Sequence, residues 1–217
     1  MKKTAFLCSG QGSQYPGMGK ELYERFSCAR QVYECGSDIL GFDLARTSFE
    51  GSDSVLASTK ISQPAIFAVS MAAYSVVKDF CEPDVFAGHS LGEYAALTAA
   101  GAFSLENGFR IIGARAEAMQ RAADENPGSM FAIIGIDAAA VRQVCEETEG
   151  YVIPVNFNSP NQTVIAGDSE AAQKAADALQ AKGAKRTIRL LVSSAFHTKM
   201  MASAAEEFKE RVSGIPV

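Results

Sequence analysis

The apolar positions of the chain change period several times, and each change marks an element. Thr4-Ala5-Phe6-Leu7-Cys8 is a short apolar run ended by Ser9-Gly10-Gln11-Gly12-Ser13-Gln14. That pattern predicts a buried strand opening into a glycine-rich loop. Helical spacing follows from about Glu21 to Tyr33. It returns after Gln63-Pro64 from Ala65 to Lys78, where Ile66, Val69, Ala73 and Val76 or Val77 make one stripe. Asp84-Val85-Phe86-Ala87 reads as a second strand, closed by Gly88-His89-Ser90-Leu91-Gly92, and a helix starts at Glu93-Tyr94-Ala95-Ala96-Leu97. Another helix runs from about Leu105 to Ala123 and ends in Asn126-Pro127-Gly128.

Beyond that loop the rhythm becomes strand Met130–Ile136, helix Asp137–Glu147, strand Val152–Phe157, strand Gln162–Ala166, helix Ser169–Lys182 and strand Lys185–Val192. This βαββαβ order is the split arrangement of ferredoxin-like domains. Asn158-Ser159-Pro160-Asn161 supplies the turn between the middle strands, and Asp137, Asp168 or Ser169 can cap the two helices. A small domain, residues 127–196, is thus inserted into a larger α/β part made of 1–126 and 197–217. From His197 the chain returns to helix, Met200–Val212, and Ile215-Pro216-Val217 reads as the possible start of a further strand.

Composition narrows the function classes. With 47% hydrophobic and 21% charged residues, 18 Gly and 7 Pro in 217 residues, the chain is neither disordered nor fibrous. Twenty basic residues against twenty-five acidic ones leave a net charge of -5, without a global footprint for nucleic acid or an anionic membrane. Cys8, Cys28, Cys35, Cys81 and Cys145 are odd in number and form no CxxC pair, which fits a reduced, cytoplasmic compartment. The apolar run after Met1-Lys2-Lys3 is too short for a secretory signal, and no run approaches the ~18 residues of a membrane span.

Candidate chemistry centres on Gly88-x-Ser90-x-Gly92. The first glycine-rich loop does not fit a nucleotide motif. Tyr15 stands where a Rossmann fingerprint needs a third glycine, and Gly19-Lys20-Glu21 lacks the P-loop Ser or Thr. GxSxG between a strand and a helix is instead the nucleophile elbow, where flanking glycines allow a tight turn that leaves the serine hydroxyl exposed. The plain alternative is Ser90 as a helix cap. A serine needs a base, and only two histidines exist. His89 adjoins Ser90 in the turn and reads as structural support, which leaves His197. Asp124, Asp137, Asp168 and Asp177 lie between Ser90 and His197 as candidates for a third member, which could also be absent or a carbonyl oxygen. Arg115 has Ile111, Ile112, Ala118 and Met119 at helical spacing and no acidic partner on its own helix, whereas Arg110 and Arg121 have Glu106 and Glu117 four residues upstream. An apolar stripe with an unpaired guanidinium predicts an anion: either a distant Asp or Glu, or a substrate carboxylate held in a bidentate clamp.

Gly10-Gln11-Gly12-Ser13-Gln14, Gly88-His89-Ser90-Leu91-Gly92-Glu93-Tyr94, Arg115 with Met119, Asn158-Ser159-Pro160-Asn161-Gln162 and Phe196-His197, in this order, resemble the malonyl-CoA:acyl-carrier-protein transacylase family. The resemblance covers the whole chain. It implies a large α/β-hydrolase-like subdomain with a parallel sheet and an inserted ferredoxin-like one. It implies Ser90 as the acylated serine, His197 as its base, Arg115 as the holder of the malonyl carboxylate, and an oxyanion hole at the backbone N–H groups of Gln11 and Leu91. Met119, Phe196 and His89 fall among the substrate-binding positions, and Ala195-Phe196-His197 resembles the malonyl-selective version. The implied partners are malonyl-CoA and an acyl carrier protein, with no metal or other cofactor. Lys182, Lys185, Arg186 and Arg189, with Lys199, form a basic cluster that is either a carrier docking patch or a solvated edge. A serine esterase or thioesterase, and a noncatalytic carrier-protein binder, are the rival readings. Family members continue past Val217 with further strands and a glutamine that orients the histidine, so the resemblance also implies a chain truncated at its C-terminus.

Overall fold

The computed structural model describes residues 3–216. Met1, Lys2 and Val217 lie outside the described residues, and with them the end of the expected Ile215-Pro216-Val217 strand. Ile215 and Pro216 form no strand, since Ile215 turns back to donate its N–H to the Val212 carbonyl. The chain divides into two compact units, one made of residues up to Glu117 together with Phe208 onward, the other of Ala118–Glu207.

In the first unit the elements run β1 (Ala5–Cys8), α1 (Lys20–Arg25), α2 (Ser27–Leu40), α3 (Leu44–Glu50), α4 (Asp53–Ala57), α5 (Thr59–Val77), β2 (Val85–Gly88), α6 (Gly92–Ala99) and α7 (Leu105–Glu125), the last crossing into the second unit. β1 and β2 pair in parallel, Ala5 with Val85 through Cys8 with Gly88, so both strands end at one level. The core is built around Tyr33, Ile66, Phe67, Leu91, Phe109 and Ile112, all shielded from solvent, with Phe67 and Phe109 edge to face at 4.9 Å. Each such side chain contributes about 1.5–3 kcal/mol on burial.

Five helices of the first unit depart from the pattern read along the sequence. The stretch expected as one helix from Glu21 to Tyr33 is two, because Phe26 is extended (φ −125°, ψ 122°) and ends α1 before α2 begins. α2 then runs past Gly36, where a Cβ would lie 2.6 Å from Leu44 and 2.7 Å from Phe109; the glycine lets that core ring approach. α5 starts six residues earlier than expected and contains Pro64. The missing proline N–H costs the bond to the Lys60 carbonyl, but Ser62 through Ala68 are all buried, and their packing holds the helix. α3 and α4 had no apolar signal; their caps are Asp43 and Ser52, which accept the N–H groups of Arg46 and Val55.

In the second unit the order is β3 (Ser129–Ile134), α8 (Ala138–Glu147), β4 (Val152–Ser159), β5 (Gln162–Gly167), α9 (Ser169–Ala181), β6 (Arg186–Arg189), a 3-10 turn (Lys199–Met201) and α10 (Ala202–Val212), which returns to the first unit. The strands form an antiparallel sheet in the order β4-β5-β3-β6. α9 buries Ala171, Ala172, Ala175, Ala176 and Leu179, a helical stripe in the same core as Phe131, Ile133 and Ile165. β4 extends to Ser159, so the turn is Pro160-Asn161 alone, shorter than the four residues expected. β6 is half its expected length, because after Leu190 the N–H of Val192 turns back to the Leu190 carbonyl. Asp137 caps α8 by accepting the Ala140 N–H at 2.9 Å, whereas Asp168 stands at the start of α9 without capping it and accepts the Tyr151 N–H instead.

Candidate active site

The ends of β1 and β2 dictate the turn that follows. The His89 N–H donates to the Cys8 carbonyl at 3.0 Å, continuing the ladder by one bond. A Cβ on Gly88 would lie 2.0 Å from the Gly92 carbonyl carbon, and one on Gly92 would lie 2.3 Å from the Cys8 carbonyl oxygen. Both glycines are thus required by backbone contact on their far side. A Cβ on Gly10 would meet His89 Nδ1 at 2.4 Å, so the first loop closes against the histidine of the elbow. Between the two glycines Ser90 is forced to φ +53°, the left-handed region. Among the described residues two non-glycine positions hold positive φ, Ser90 and His197 (+62°). Such a conformation costs an L-residue about 1–2 kcal/mol and persists only where its surroundings impose it.

α6 starts two residues after Ser90, and the N–H groups of Gly92 and Glu93 donate back to the His89 and Ser90 carbonyls. The N–H groups of Leu91 and Gln11 have no acceptor among the described residues. Leu91 is fully buried. The Gln11 side chain reaches Thr59, donating from Nε2 to Oγ1 at 3.4 Å.

Arg115 comes to the elbow from α7. Its Nη2 donates to Ser90 Oγ at 3.3 Å, its Nη1 donates to Gln63 Oε1 at 2.6 Å, and the guanidinium carbon lies 5.5 Å from the centre of the Tyr94 ring. No carboxylate pairs with it among the described residues, so the distant ion pair considered from the sequence is not formed. Burial pulls its pKa below the ordinary arginine value, opposed by Tyr94 and by the field of the exposed Glu93. An arginine remains charged under such a shift. Met119, one turn further along α7, is buried, as are Ile111, Ile112 and Ala118.

The expected pairs on this helix are replaced. Arg110 donates to Asn107, Arg121 pairs with Glu207, and Glu117 pairs with Arg211 at 2.7 Å. α10 offers partners to Glu117 and Arg121 and none to Arg115.

His197 belongs to the second unit, where it tips a turn that its neighbours anchor. Ala195 and Phe196 are buried, a Cβ on Gly128 would lie 2.8 Å from the Ala195 nitrogen, and Ser194 Oγ donates to the Asn126 carbonyl at 2.5 Å. Thr198 Oγ1 donates to the Ala195 carbonyl and accepts the Met200 N–H. His197 itself is an exposed residue. Each of the four aspartates considered as a third member is engaged locally: Asp124 by Gln120, Asp177 by Gln173, Asp137 and Asp168 by backbone N–H groups. The basic cluster is largely occupied as well. Lys182 pairs with Glu147 at 3.2 Å, Arg189 donates to Ser129 and the Lys199 ammonium sits 4.2 Å from the Tyr151 ring centre.

Three residues that sequence reasoning did not single out touch the site: Gln63, Tyr94 and Thr59. A glutamine inside the apolar run of α5 was the available signal, since a buried amide requires a partner. Among the described residues no group of three or more His, Cys, Asp or Glu could hold a metal ion, and no helix is long and apolar enough to cross a membrane.

Comparison with known proteins agrees with these features. The acyl transferase domain family matches residues 5–216. A malonyl CoA-acyl carrier protein transacylase of Bacillus subtilis (strain 168) is 42% identical over 214 residues, 97% of this chain and 68% of the relative. The solved malonyl CoA-acyl carrier protein transacylase of Coxiella burnetii superposes with a TM-score of 0.95 at 35% identity, over 99% of this chain and 69% of that one. A malonyl-transacylase solved in complex with a type II PKS acyl-carrier protein superposes at 0.93 with 39% identity, over 99% of this chain and 71% of that one. A mixed α/β chain with a small parallel sheet and an antiparallel sheet, an elbow serine and matches of this extent belongs to the malonyl CoA-acyl carrier protein transacylase family of acyl transferase domains.

Proposed function

We propose that the chain transfers a malonyl group from malonyl-CoA to the phosphopantetheine thiol of an acyl carrier protein, in fatty acid or polyketide synthesis, through a malonyl ester on Ser90. The observation that carries this reading is the Arg115 guanidinium, hydrogen-bonded to Ser90 Oγ and surrounded by neutral acceptors. A charge desolvated beside a nucleophile favours an acyl group that brings its own carboxylate, and a guanidinium fork fits a carboxylate in two parallel bonds. An esterase for neutral acyl groups has no use for it.

In the first half-reaction the Ser90 hydroxyl gives its proton to His197 while Oγ attacks the thioester carbonyl carbon. The open N–H groups of Gln11 and Leu91 receive the developing oxyanion. Collapse breaks the carbon–sulfur bond, and the proton on His197 goes to the departing CoA sulfur. The second half runs in reverse order: His197 takes the proton of the carrier thiol, sulfur attacks the Ser90 ester, and the serine hydroxyl is restored. Every bond is made by these groups, so the reading assigns no metal or redox cofactor. His89 supports the elbow from Gly10, and Met119 and Phe196 shape the acyl site.

The sheet order β4-β5-β3-β6 supports reading residues 127–196 as a ferredoxin-like subdomain inserted in an α/β-hydrolase-like one, 1–126 with 197–217. Of the basic cluster, Arg186 and Lys185 remain for carrier docking once the paired members are set aside.

Intact-mass spectrometry after mixing with malonyl-CoA tests the reading. The expected result is a malonyl adduct that disappears in Ser90→Ala and His197→Ala and is discharged by a holo carrier protein. Rapid release of free malonate without a carrier overturns transfer in favour of hydrolysis.

A further inference from the structure

We propose that Gln63 is a specificity-determining positioning residue, whose neutral amide holds the Arg115 guanidinium in place while leaving its charge available to the acyl carboxylate. The inference rests on the malonyl reading of the Arg115 site given above. Gln63 is fully buried in the second turn of α5, just before Pro64, and its Oε1 lies 2.6 Å from Arg115 Nη1. A guanidinium has donors only, so the amide atom facing it is the oxygen. That bond takes one nitrogen of the fork and fixes the plane of the group, and Nη2 is then directed at Ser90 Oγ. The Tyr94 ring lies against the same group.

What stands at position 63 decides what the arginine can do next. A carboxylate there would make a partly buried ion pair with Arg115, and an incoming malonyl carboxylate would meet a neutralised pair instead of a cation. An apolar residue would leave the guanidinium charged but unanchored, free to leave the orientation that serves Ser90. The amide is the side chain that orients without neutralising. Selectivity for a carboxylated acyl group over an uncharged one therefore depends on a residue of α5 as well as on Arg115.

The test uses Gln63→Glu and Gln63→Met, each compared with the unsubstituted chain for acylation of Ser90 by malonyl-CoA and by acetyl-CoA. The expected result is a malonyl-to-acetyl ratio at least tenfold lower in Gln63→Glu, and a raised KM for malonyl-CoA with less change for acetyl-CoA in Gln63→Met. Equal falls for both substrates in both variants overturn the proposal, because a merely structural role lowers both together. A second measurement does not need turnover: calorimetric affinities of malonyl-CoA and acetyl-CoA for Ser90→Ala and for Ser90→Ala with Gln63→Glu. A malonyl preference kept by the double variant overturns the inference while the malonyl reading stands. No malonyl preference in Ser90→Ala itself overturns the reading, and the inference with it.

Discussion

Replacing Ser90 by alanine and by glycine separates the strain of the elbow from its chemistry. Both variants delete the hydroxyl, and with it the hydrogen bond from Arg115, so they differ in Cβ and in backbone freedom alone. At φ +53° an L-residue sits about 1–2 kcal/mol above its right-handed conformation, a penalty that glycine escapes. Glycine in turn loses about 0.4–1 kcal/mol more backbone entropy on folding. At the middle of these ranges Ser90→Gly is more stable than Ser90→Ala by about 0.8 kcal/mol, which for a chain of this size is roughly 2–3 °C in Tm. His197, at φ +62°, gives the same sign for His197→Gly against His197→Ala. Lys174 on α9 is the control: it is exposed and helical, so Lys174→Gly is expected to melt below Lys174→Ala, by about 1 kcal/mol. Thermal unfolding of the six variants reads all three signs in one experiment. Alanine variants melting as high as the glycine variants at positions 90 and 197 would refute strain at the two positions.

Other substitutions and titrations test separate parts of the structure. Arg115→Ala removes a charged hydrogen-bond donor worth about 1.5–3 kcal/mol, so malonylation of Ser90 should fall about 10- to 150-fold and acetylation much less; equal falls, read by rapid-quench mass spectrometry, exclude a carboxylate clamp. Asp137→Ala deletes the cap that accepts the Ala140 N–H and should cost about 1 kcal/mol in urea unfolding; an unchanged midpoint refutes the cap. Burial pushes the Cys8 and Cys145 thiols up to about 11, whereas Cys81 is exposed. At pH 8 iodoacetamide should therefore label Cys81 first and reach Cys8 and Cys145 on unfolding, and peptide mapping that finds Cys8 labelled as fast as Cys81 contradicts this. Because the folded thiol pKa lies above the unfolded value near 9, the stability these thiols contribute is complete below pH 9 and is lost as pH rises towards 11.

The elbow was legible because its causes are local. Glycine at 88 and 92 follows from backbone collisions that any strand-turn-helix of this tightness produces, so the motif and its context announce the geometry together. The βαββαβ order was legible for the same reason: short alternating runs and helix caps are properties of neighbouring residues, as the Asp137 cap and the alanine stripe of α9 illustrate. Boundaries moved where a distant contact outweighed the local signal. α5 continues through Pro64 because buried packing offsets the lost bond, and α2 continues through Gly36 because Phe109, 73 positions away, needs the space.

Arg115 divides the legible from the illegible within a single residue. Its need for a partner can be read from α7 alone, since a helix carries its own i±4 neighbours and none of those around Arg115 is acidic. What satisfies it cannot, because Gln63 and Ser90 are 52 and 25 positions away and meet it only after α5, the elbow and α7 have packed. The same limit explains why Glu117 and Arg121, an acceptable pair by spacing, instead take Arg211 and Glu207 from α10. Local spacing contributes about 0.2–0.5 kcal/mol per exposed pair, too little to resist a partner that tertiary packing delivers in better geometry. A partly buried cation is a different case: desolvation makes a partner necessary, and the nearest tertiary acceptors here are an amide, a hydroxyl and an aromatic ring, none of which removes the charge. A cation that packing has satisfied without neutralising it, placed beside a strained serine, is what the proposed transfer of a carboxylated acyl group requires.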